Sequence, residues 1–302
     1  YTAKKNGLKN DFSLVFAVTI SSLHTIVRWI NTQIIDIWLA VFFLISLSLF
    51  QKPVKKISYF IFLGAACGIL IGSKYTGVYF LFILLLFNFK KIIKVLSLQR
   101  LVAFLIPFTI LGLMWYLRNY LLTQNPIYPQ AFLFFKGANN SMLSNNVYRS
   151  LSYPNGLNNF LNAFFSEYFI FSFALLVPIA FLFKKFRQKK INKAKTLITI
   201  GFLNLLVFFS LPSDRYDYIA VSVIRYTYPS IIPIILGIFI IAKEYKKEVL
   251  LSFFSLSSFI IVPELSFYPK LLFLFVPLAL LIFYFEETFL FMKNKVHLKG
   301  GK

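Results

Sequence analysis

Cysteine, histidine and acidic residues are all scarce in this chain. Its 302 residues include one cysteine, two histidines and 10 acidic residues against 32 lysines and arginines. A single Cys67 excludes an intramolecular disulfide and a cysteine-rich metal site. The chain also lacks a glycine-rich phosphate loop, an HExxH pair and a spacing that would support a serine–histidine–acid triad. Because His24 lies in an apolar run and His297 in a basic tail, we expect a packed or solvated histidine at each and no ligand.

Apolar residues dominate the composition of the chain. With 59% hydrophobic and 20% aromatic residues and a mean hydropathy of +0.75, the chain is too apolar to form a soluble core and surface. We predict an all-α polytopic membrane protein with one transmembrane domain over residues 1–302. The net charge of +22 would suggest nucleic acid in a soluble domain, but the lysines cluster between apolar runs, as in cytoplasmic loops. Membrane lipids are therefore expected as partners, and nucleic acid is not.

About ten transmembrane helices are predicted from the apolar runs. Assigning alternate connections to one side places about three quarters of the basic residues on that side. Ten crossings with both ends in the cytoplasm satisfy the positive-inside rule, and the long polar loop 119–166 then faces outward. The predicted spans are 12–30, 34–50, 57–73, 76–89, 101–118, 167–183, 197–211, 229–242, 249–263 and 269–285.

Part of the outward loop has helical periodicity. Three asparagines lie opposite an apolar face, so a short helix in the membrane interface is one interpretation, and the start of the next span is the other. The apolar positions are Leu157, Phe160, Leu161, Phe164 and Phe165, and the asparagines are Asn158, Asn159 and Asn162.

Lys74 is the most informative charge at the predicted outer surface. It lies in GSKYTG, between runs of 17 and 14 residues. A helix of about 14 residues measures only ~21 Å against a hydrocarbon core of ~30 Å, so the hairpin tip should lie below the surface. A lysine at that depth needs an anionic partner, for which a lipid phosphate is suited. Snorkelling of the lysine to the headgroups is the structural alternative.

Other charges also lie at predicted helix ends. Asp36 stands in the first turn of its helix, where the macrodipole alone would stabilise it, but with Arg28 one short connection away the two could face a polar cavity. The prolines of WYLRNYLLTQNPIYP predict a helix end near Asn119, directly after Arg118. Arg118 and Arg225 each precede a polar or proline-containing segment, so both could bind an anion.

Four motifs in this order resemble a known family. NTQIIDIWLAVFF, GSKYTG, WYLRNYLLTQNPIYP and RYTYPSIIP, separated by apolar spans, look like bacterial members of the membrane glycosyltransferase superfamily with the C-type fold. Members similar to these include dolichyl-phosphate-mannose protein mannosyltransferases and the aminoarabinose transferase of lipid A. The resemblance extends over nearly the whole chain. It implies a multi-pass protein of the bacterial inner membrane that transfers a sugar from a polyprenyl-phosphate donor, with inversion, to an extracytoplasmic lipid, glycan or protein.

The resemblance also implies roles for individual residues. Lys74 matches the lysine at the lipid phosphate, and Asp36 matches an acidic position of the active-site cavity. We predict Asp36 as a catalytic carboxylate that takes the acceptor proton or holds a divalent metal, and Lys74, Arg118 and Arg225 as the cations at the donor phosphate. The residues expected to line the cavity are Arg28, Tyr75, Asn119, Asn125, Tyr128 and Tyr226.

One departure from the family concerns the first outer loop. That loop carries the aspartate expected to act as base, and Tyr1 of this chain matches a position near the end of the family's second helix. We therefore expect a fragment that lacks about two upstream helices and has no transferase activity alone. The alternative functions are a lipid-linked oligosaccharide flippase or other transporter, and a polysaccharide polymerase. An acidic outer loop directly after one helix would favour the transferase.

The charge distribution predicts a topology that labelling can test. Single cysteines at positions 190 and 247, introduced after Cys67 is replaced, should be cytoplasmic, whereas one at position 145 should react with an impermeant thiol reagent in intact cells. Labelling of position 145 only after lysis would contradict both the orientation and the outward active site.

Overall fold

The computed structural model of this protein describes residues 1–29, 35–129, 131, 134–138, 147–177, 191–211 and 221–260. These residues form helices and no β-sheet. They include one π-helical turn, Thr109–Leu113, and two 3₁₀ segments, Phe169–Leu176 and Arg225–Thr227. The helices are α1 (Thr2–Lys5), α2 (Asn10–Ser21), α3 (His24–Trp29), α4 (Ile35–Gln51), α5 (Ile57–Ser73), α6 (Thr76–Ile93), α7 (Leu98–Phe108), α8 (Met114–Thr123), α9 (Val147–Ser152), α10 (Gly156–Tyr168), α11 (Asn192–Ser210), α12 (Val221–Ile224), α13 (Tyr228–Glu244) and α14 (Glu248–Ile260).

Four stretches of the described residues are long and apolar enough to cross a membrane. They are Thr76–Ile93, Leu98–Thr123, Asn192–Ser210 and Arg225–Glu244. Helices α2, α4 and α5 are apolar but shorter. The all-helical class is thus confirmed, with helices that are long and apolar enough to cross a membrane. The number of ten spans stays a prediction, and the predicted span 269–285 lies outside the described residues.

Several helix boundaries differ from the prediction for identifiable reasons. The predicted span 12–30 is divided at Ser22 and Leu23 into α2 and α3. Helix α8 continues past Asn119 to Thr123, because a proline restricts only the residue before it, which here is Asn125. Helix α6 extends four residues beyond the predicted run, and its last turn contains two lysines, which the helix dipole favours there.

The periodic stretch 157–165 is helical, as both interpretations of the sequence predicted. In α10, Phe160 and Phe164 are buried, whereas Leu157 and Phe165 are exposed. The exposed asparagines Asn158 and Asn162 lie on the outer side of the helix. The buried face packs against α3, α9 and α12. The face of α10 that contains Phe160 and Phe164 is therefore covered by protein in this region.

A stripe of glycines on α5 explains how this helix packs against the 26-residue helical stretch Leu98–Thr123. Gly64, Gly68 and Gly72 recur at intervals of four residues and face α7 and the π-helical turn. A Cβ atom at Gly64 would lie 2.1 Å from the carbonyl oxygen of Phe104, so only glycine permits this approach. Gly112 on the partner helix meets Gly68 and Ile71 in the same way. Small residues at such spacing let helices pack closely in a membrane.

Helix α13 packs against α11 through a polar contact inside the bundle. Pro233 lies within α13 and lacks an N–H group, so the carbonyl oxygen of Pro229, four residues earlier, has no intrahelical donor. The side chain of Asn204 on α11 donates to that oxygen over 2.7 Å. Asn204 is fully buried. A polar side chain thus satisfies the backbone group that the proline leaves open.

The glycine stripe predicts that bulk at one position destabilises the bundle. Gly64→Leu should lower the free energy of unfolding by at least ~1–3 kcal/mol, because the new side chain would enter the backbone of α7. Phe62→Leu, at an exposed position on the same helix, is the control and should have little effect. Thermal unfolding in detergent, followed by intrinsic fluorescence, measures both. Equal midpoints for the two variants would contradict the close packing.

Candidate functional site

The structure brings Asp36, Lys74 and Arg225 together in one ionic cluster. Asp36 is in the first turn of α4 and is almost fully buried. Its Oδ1 atom accepts a hydrogen bond from Lys74 Nζ at 2.7 Å, and its Oδ2 atom accepts one from Arg225 Nε at 2.8 Å. One carboxylate thus contacts two cations that come from sequence positions far apart. The three formal charges sum to one positive charge, which favours an anionic ligand.

Tyr226 completes the surroundings of Lys74. The ammonium group lies 3.6 Å from the centre of the Tyr226 ring, within the distance of a cation–π contact. The Arg225 guanidinium carbon lies 5.1 Å from the same ring centre. The Lys74 and Arg225 side chains are 28% and 19% exposed, so a ligand can still reach both.

The expected depth of Lys74 needs correction. The apolar run predicted after the hairpin has 14 residues, whereas helix α6 has 18 and measures about 27 Å. Helix α6 is therefore not short enough to place the tip of the hairpin below the membrane surface. Lys74 is half-buried because Asp36 and Tyr226 pack against it, and Asp36 supplies its anionic partner.

A network of polar side chains joins the hairpin tip to the proline-rich loop. Tyr75 donates to the carbonyl oxygen of Tyr128, and Asn119 Nδ2 donates to Tyr75 Oη at 3.1 Å. Burial raises the pKa of Tyr75, and the hydrogen bond from Asn119 opposes that rise. Tyr116 donates to the carbonyl of Ile71 at 2.9 Å, which is one of the carbonyls that α5 leaves unpaired at its end. Part of the loop is thereby held beside Lys74.

Asn125 has a structural position within that loop. It is almost fully buried, and its Oδ1 atom accepts a hydrogen bond from the backbone N–H of Ile127 at 2.9 Å. Its Nδ2 atom donates to the carbonyl of Lys136 at 3.0 Å. These contacts fix the turn that contains Pro126. They give Asn125 a structural role and do not indicate that it binds a ligand.

Two predicted cations lie elsewhere. Arg118 is exposed, and its guanidinium group lies 5.7 Å from the centre of the Trp115 ring. Arg28 was expected to face a polar cavity together with Asp36. It lies 3.4 Å from the carboxylate of Glu167. The structure therefore separates the charges of this region into two clusters.

The second cluster is formed by α3 and α10. His24 Nδ1 lies 3.8 Å from an oxygen of Glu167, and its Nε2 atom lies 3.3 Å from a guanidinium nitrogen of Arg28. Glu167 is fully buried. A packed or solvated histidine was expected at position 24, and the side chain is packed: it is buried, and its Nδ1 atom donates to the carbonyl oxygen of Ser166 at 3.0 Å. The structure adds that it also lies beside the Glu167 carboxylate. His24 and Arg28 are four residues apart and share a helix face, which is a signal that sequence reasoning could have used.

Buried hydroxyl pairs connect the second cluster to the segment that carries Arg225. Thr227 donates to the carbonyl of Ile224, so the Tyr168 hydroxyl donates to Thr227 Oγ1 at 2.6 Å. Tyr228 donates to the carbonyl of Thr25 at 2.8 Å, and the Thr25 hydroxyl contacts Tyr228 Oη at 3.0 Å. These pairs fix the 3₁₀ turn from which Arg225 reaches Asp36.

No ready metal site occurs in this part of the molecule. Among the described residues, no group of three or more His, Cys, Asp and Glu side chains could hold a metal ion. The side chains that meet at the first cluster are one carboxylate, two cations and a phenol, a donor set suited to an anion.

Fold and site together define a class of protein. The described residues form an all-helical fold that has helices long and apolar enough to span a membrane and a cationic cluster where α4 begins and the α5–α6 hairpin turns. Comparison with protein-family models, with curated proteins and with solved structures finds no match to this chain.

The ionic cluster predicts a stability difference between two acidic residues. Asp36→Asn should lower the free energy of unfolding by about 2–3 kcal/mol, because it removes the carboxylate that two partly buried cations contact. Glu244→Gln is the control, since the ion pair of Glu244 with Lys243 is longer, at 3.6 Å, and more exposed. It should cost less than ~1 kcal/mol. Thermal unfolding in detergent measures both, and equal shifts would contradict the special role of Asp36.

Proposed function

We propose that this chain belongs to an integral-membrane glycosyltransferase that takes a sugar from a polyprenyl-phosphate donor. The observation that carries the proposal is the Asp36–Lys74–Arg225 cluster, with its net positive charge and partly exposed cations. The proposed location is the bacterial inner membrane, with the cluster on the extracytoplasmic side. The acceptor is a lipid, a glycan or a protein on that side.

Convergence of the family-like motifs supports the proposal. NTQIIDIWLAVFF supplies Asp36, GSKYTG supplies Lys74, and RYTYPSIIP supplies Arg225 and Tyr226. The fourth motif, WYLRNYLLTQNPIYP, joins the same place through the contacts of Asn119 and Tyr128 with Tyr75. Segments that are separated by apolar helices in sequence therefore meet at one polar site.

The two cations are suited to hold the donor phosphate. A phosphate oxygen competes with the Asp36 carboxylate for Lys74 and Arg225, because both anions form charge-assisted hydrogen bonds with the same donors. As negative charge develops on the departing phosphate, those contacts strengthen and lower the barrier. The ring of Tyr226 holds the Lys74 ammonium in place without neutralising it.

The proposed reaction follows from these positions. The bond between the sugar's anomeric carbon and the phosphate oxygen breaks, and its electron pair stays on the phosphate. The acceptor hydroxyl attacks the anomeric carbon from the opposite face and gives its proton to a carboxylate. Asp36 becomes available for that proton when the phosphate draws Lys74 and Arg225 away from it. Before the donor binds, Asp36 holds the two cations in place.

The position of the buried acids favours surface chemistry over transport. Among the described residues, the buried acidic side chains are Asp36 and Glu167. Asp36 is in the first turn of α4, and Glu167 is next to the last residue of α10. A transporter places its ionisable groups near the middle of the membrane, on discontinuous helices. Charges at helix ends fit a reaction at the membrane interface.

The proposal predicts that Lys74 binds the donor phosphate. Lys74→Ala should weaken binding of a polyprenyl monophosphate by roughly ten- to a hundredfold, the range for loss of one charge-assisted contact. Lys56→Ala is the matched control, because Lys56 is an exposed lysine at the other end of α5. Binding of the purified chain in detergent, measured by native mass spectrometry, gives both affinities.

Two further outcomes sharpen this test. Lys74→Arg should restore only part of the affinity, because a planar guanidinium cannot occupy the position of the ammonium group over Tyr226. If Lys74→Ala and Lys56→Ala bind the polyprenyl phosphate equally well, Lys74 is a surface lysine and the proposed role is wrong.

A further inference from the structure

A second basic site lies at the opposite end of the helices from the Asp36 cluster. A cavity of about 90 Å³ opens there between α1, α4, α6 and α11. On α4, residues 36 and 51 are separated by about 22 Å at the helical rise of 1.5 Å per residue, so the two sites are distinct. The described residues of its lining include Lys5, Asn6, Lys52, Asn88, Lys91 and Lys193.

Four lysines from four separate segments meet at this cavity. Lys5 ends α1, Lys52 follows α4, Lys91 is in the last turn of α6, and Lys193 is in the first turn of α11. No acidic side chain is among the described lining residues, and no carboxylate of the described ranges lies within 4.0 Å of these ammonium groups. The four ammonium groups repel one another, and an anion bound between them would offset this repulsion.

Helix dipoles do not account for all four lysines. Cations are stabilised at helix C-termini, which explains Lys5, Lys52 and Lys91. Lys193 is at a helix N-terminus, where the dipole disfavours a positive charge, and the first turn of α11 has no acidic residue. Its placement is explained if the N-terminus and the ammonium group bind the same anion.

Buried amides hold the site in shape. Asn88 is only 2% exposed although it lies in an apolar helix, and its Nδ2 atom donates to the carbonyl of Leu84 at 2.9 Å. Its Oδ1 atom accepts a hydrogen bond from Lys91 Nζ at 3.0 Å, which directs the ammonium group along the cavity wall. Asn6 is also buried and bonds to the carbonyl of Thr2 at 2.9 Å. The lysines therefore project from a fixed frame.

We propose that this cavity binds a phosphate group, presented by an anionic phospholipid headgroup or by free inorganic phosphate. The apolar helices α4 and α6 end at the cavity, which puts it at the level of the lipid phosphates. Basic pockets between transmembrane helices are suited to anionic headgroups. Lys91 and Lys193 are the principal contacts, because they come from neighbouring helices and both line the cavity.

A double variant with a charge-matched control tests the site. Lys91→Gln/Lys193→Gln removes two lysines from the cavity, and Lys90→Gln/Lys195→Gln removes two lysines from the same helices outside it. The purified, delipidated chain in a neutral maltoside detergent is titrated with a short-chain phosphatidylglycerol and, separately, with inorganic phosphate. Native mass spectrometry measures the lipid, and isothermal calorimetry measures the phosphate. The first double variant should bind at least about tenfold more weakly than the control.

Each outcome decides the proposal. Binding of phosphatidylglycerol that the first variant loses and the control keeps identifies a lipid headgroup, and the same pattern with inorganic phosphate alone identifies a free anion. Equal loss in both variants would mean general surface charge and would overturn the proposal, as would no binding of either probe. Acetylation of the unaltered chain requires no variant to fold. Phosphatidylglycerol or phosphate should protect Lys91 and Lys193 relative to Lys90 and Lys195, and equal protection would again reject the site.

Discussion

The structure depends above all on one carboxylate that serves two cations. Asp36 is nearly buried, and a charge in that position is tolerable only because Lys74 and Arg225 each donate a short hydrogen bond to it. The contact ties the beginning of α4 to the α5–α6 hairpin and to the 3₁₀ turn before α13. The same requirement for a balanced charge makes the cluster a site, because a phosphate can take over the two cations.

Polar groups elsewhere follow the same constraint. In an apolar bundle every open backbone group needs a partner, so Asn204 bonds to the carbonyl that Pro233 leaves open and Tyr116 bonds to the end of α5. Among the described residues, the buried acids lie near the ends of helices, where water or lipid headgroups can share the cost of charge. Three charged regions result: the Asp36 cluster at one end of α4, the Glu167 cluster between α3 and α10, and the lysine cavity at the other end of α4.

Sequence reasoning located much of the candidate site but not its pairings. Asp36, Lys74 and Arg225 were predicted because charges are rare in apolar segments and so draw attention wherever they occur. Tyr226 was predicted from its place in the motif RYTYPSIIP. Arg28 was expected to face the same polar cavity as Asp36 because the two are close in sequence, whereas in the structure Arg28 lies beside Glu167. The close contact between α5 and α7 was not predicted either, because the glycines of α5 were treated only as apolar residues.

The sequence by itself determined the class of protein. Long apolar runs separated by lysines leave no arrangement except helices that satisfy their own backbone hydrogen bonds. It also placed the charges at helix ends, because the spacing of apolar residues defines where a helix meets water. Only the tertiary structure decided which charges meet, since residues 36, 74 and 225 are joined by the packing of helices distant in sequence. Local periodicity carries no information on such pairs, because each helix can rotate and slide until its neighbours pack against it.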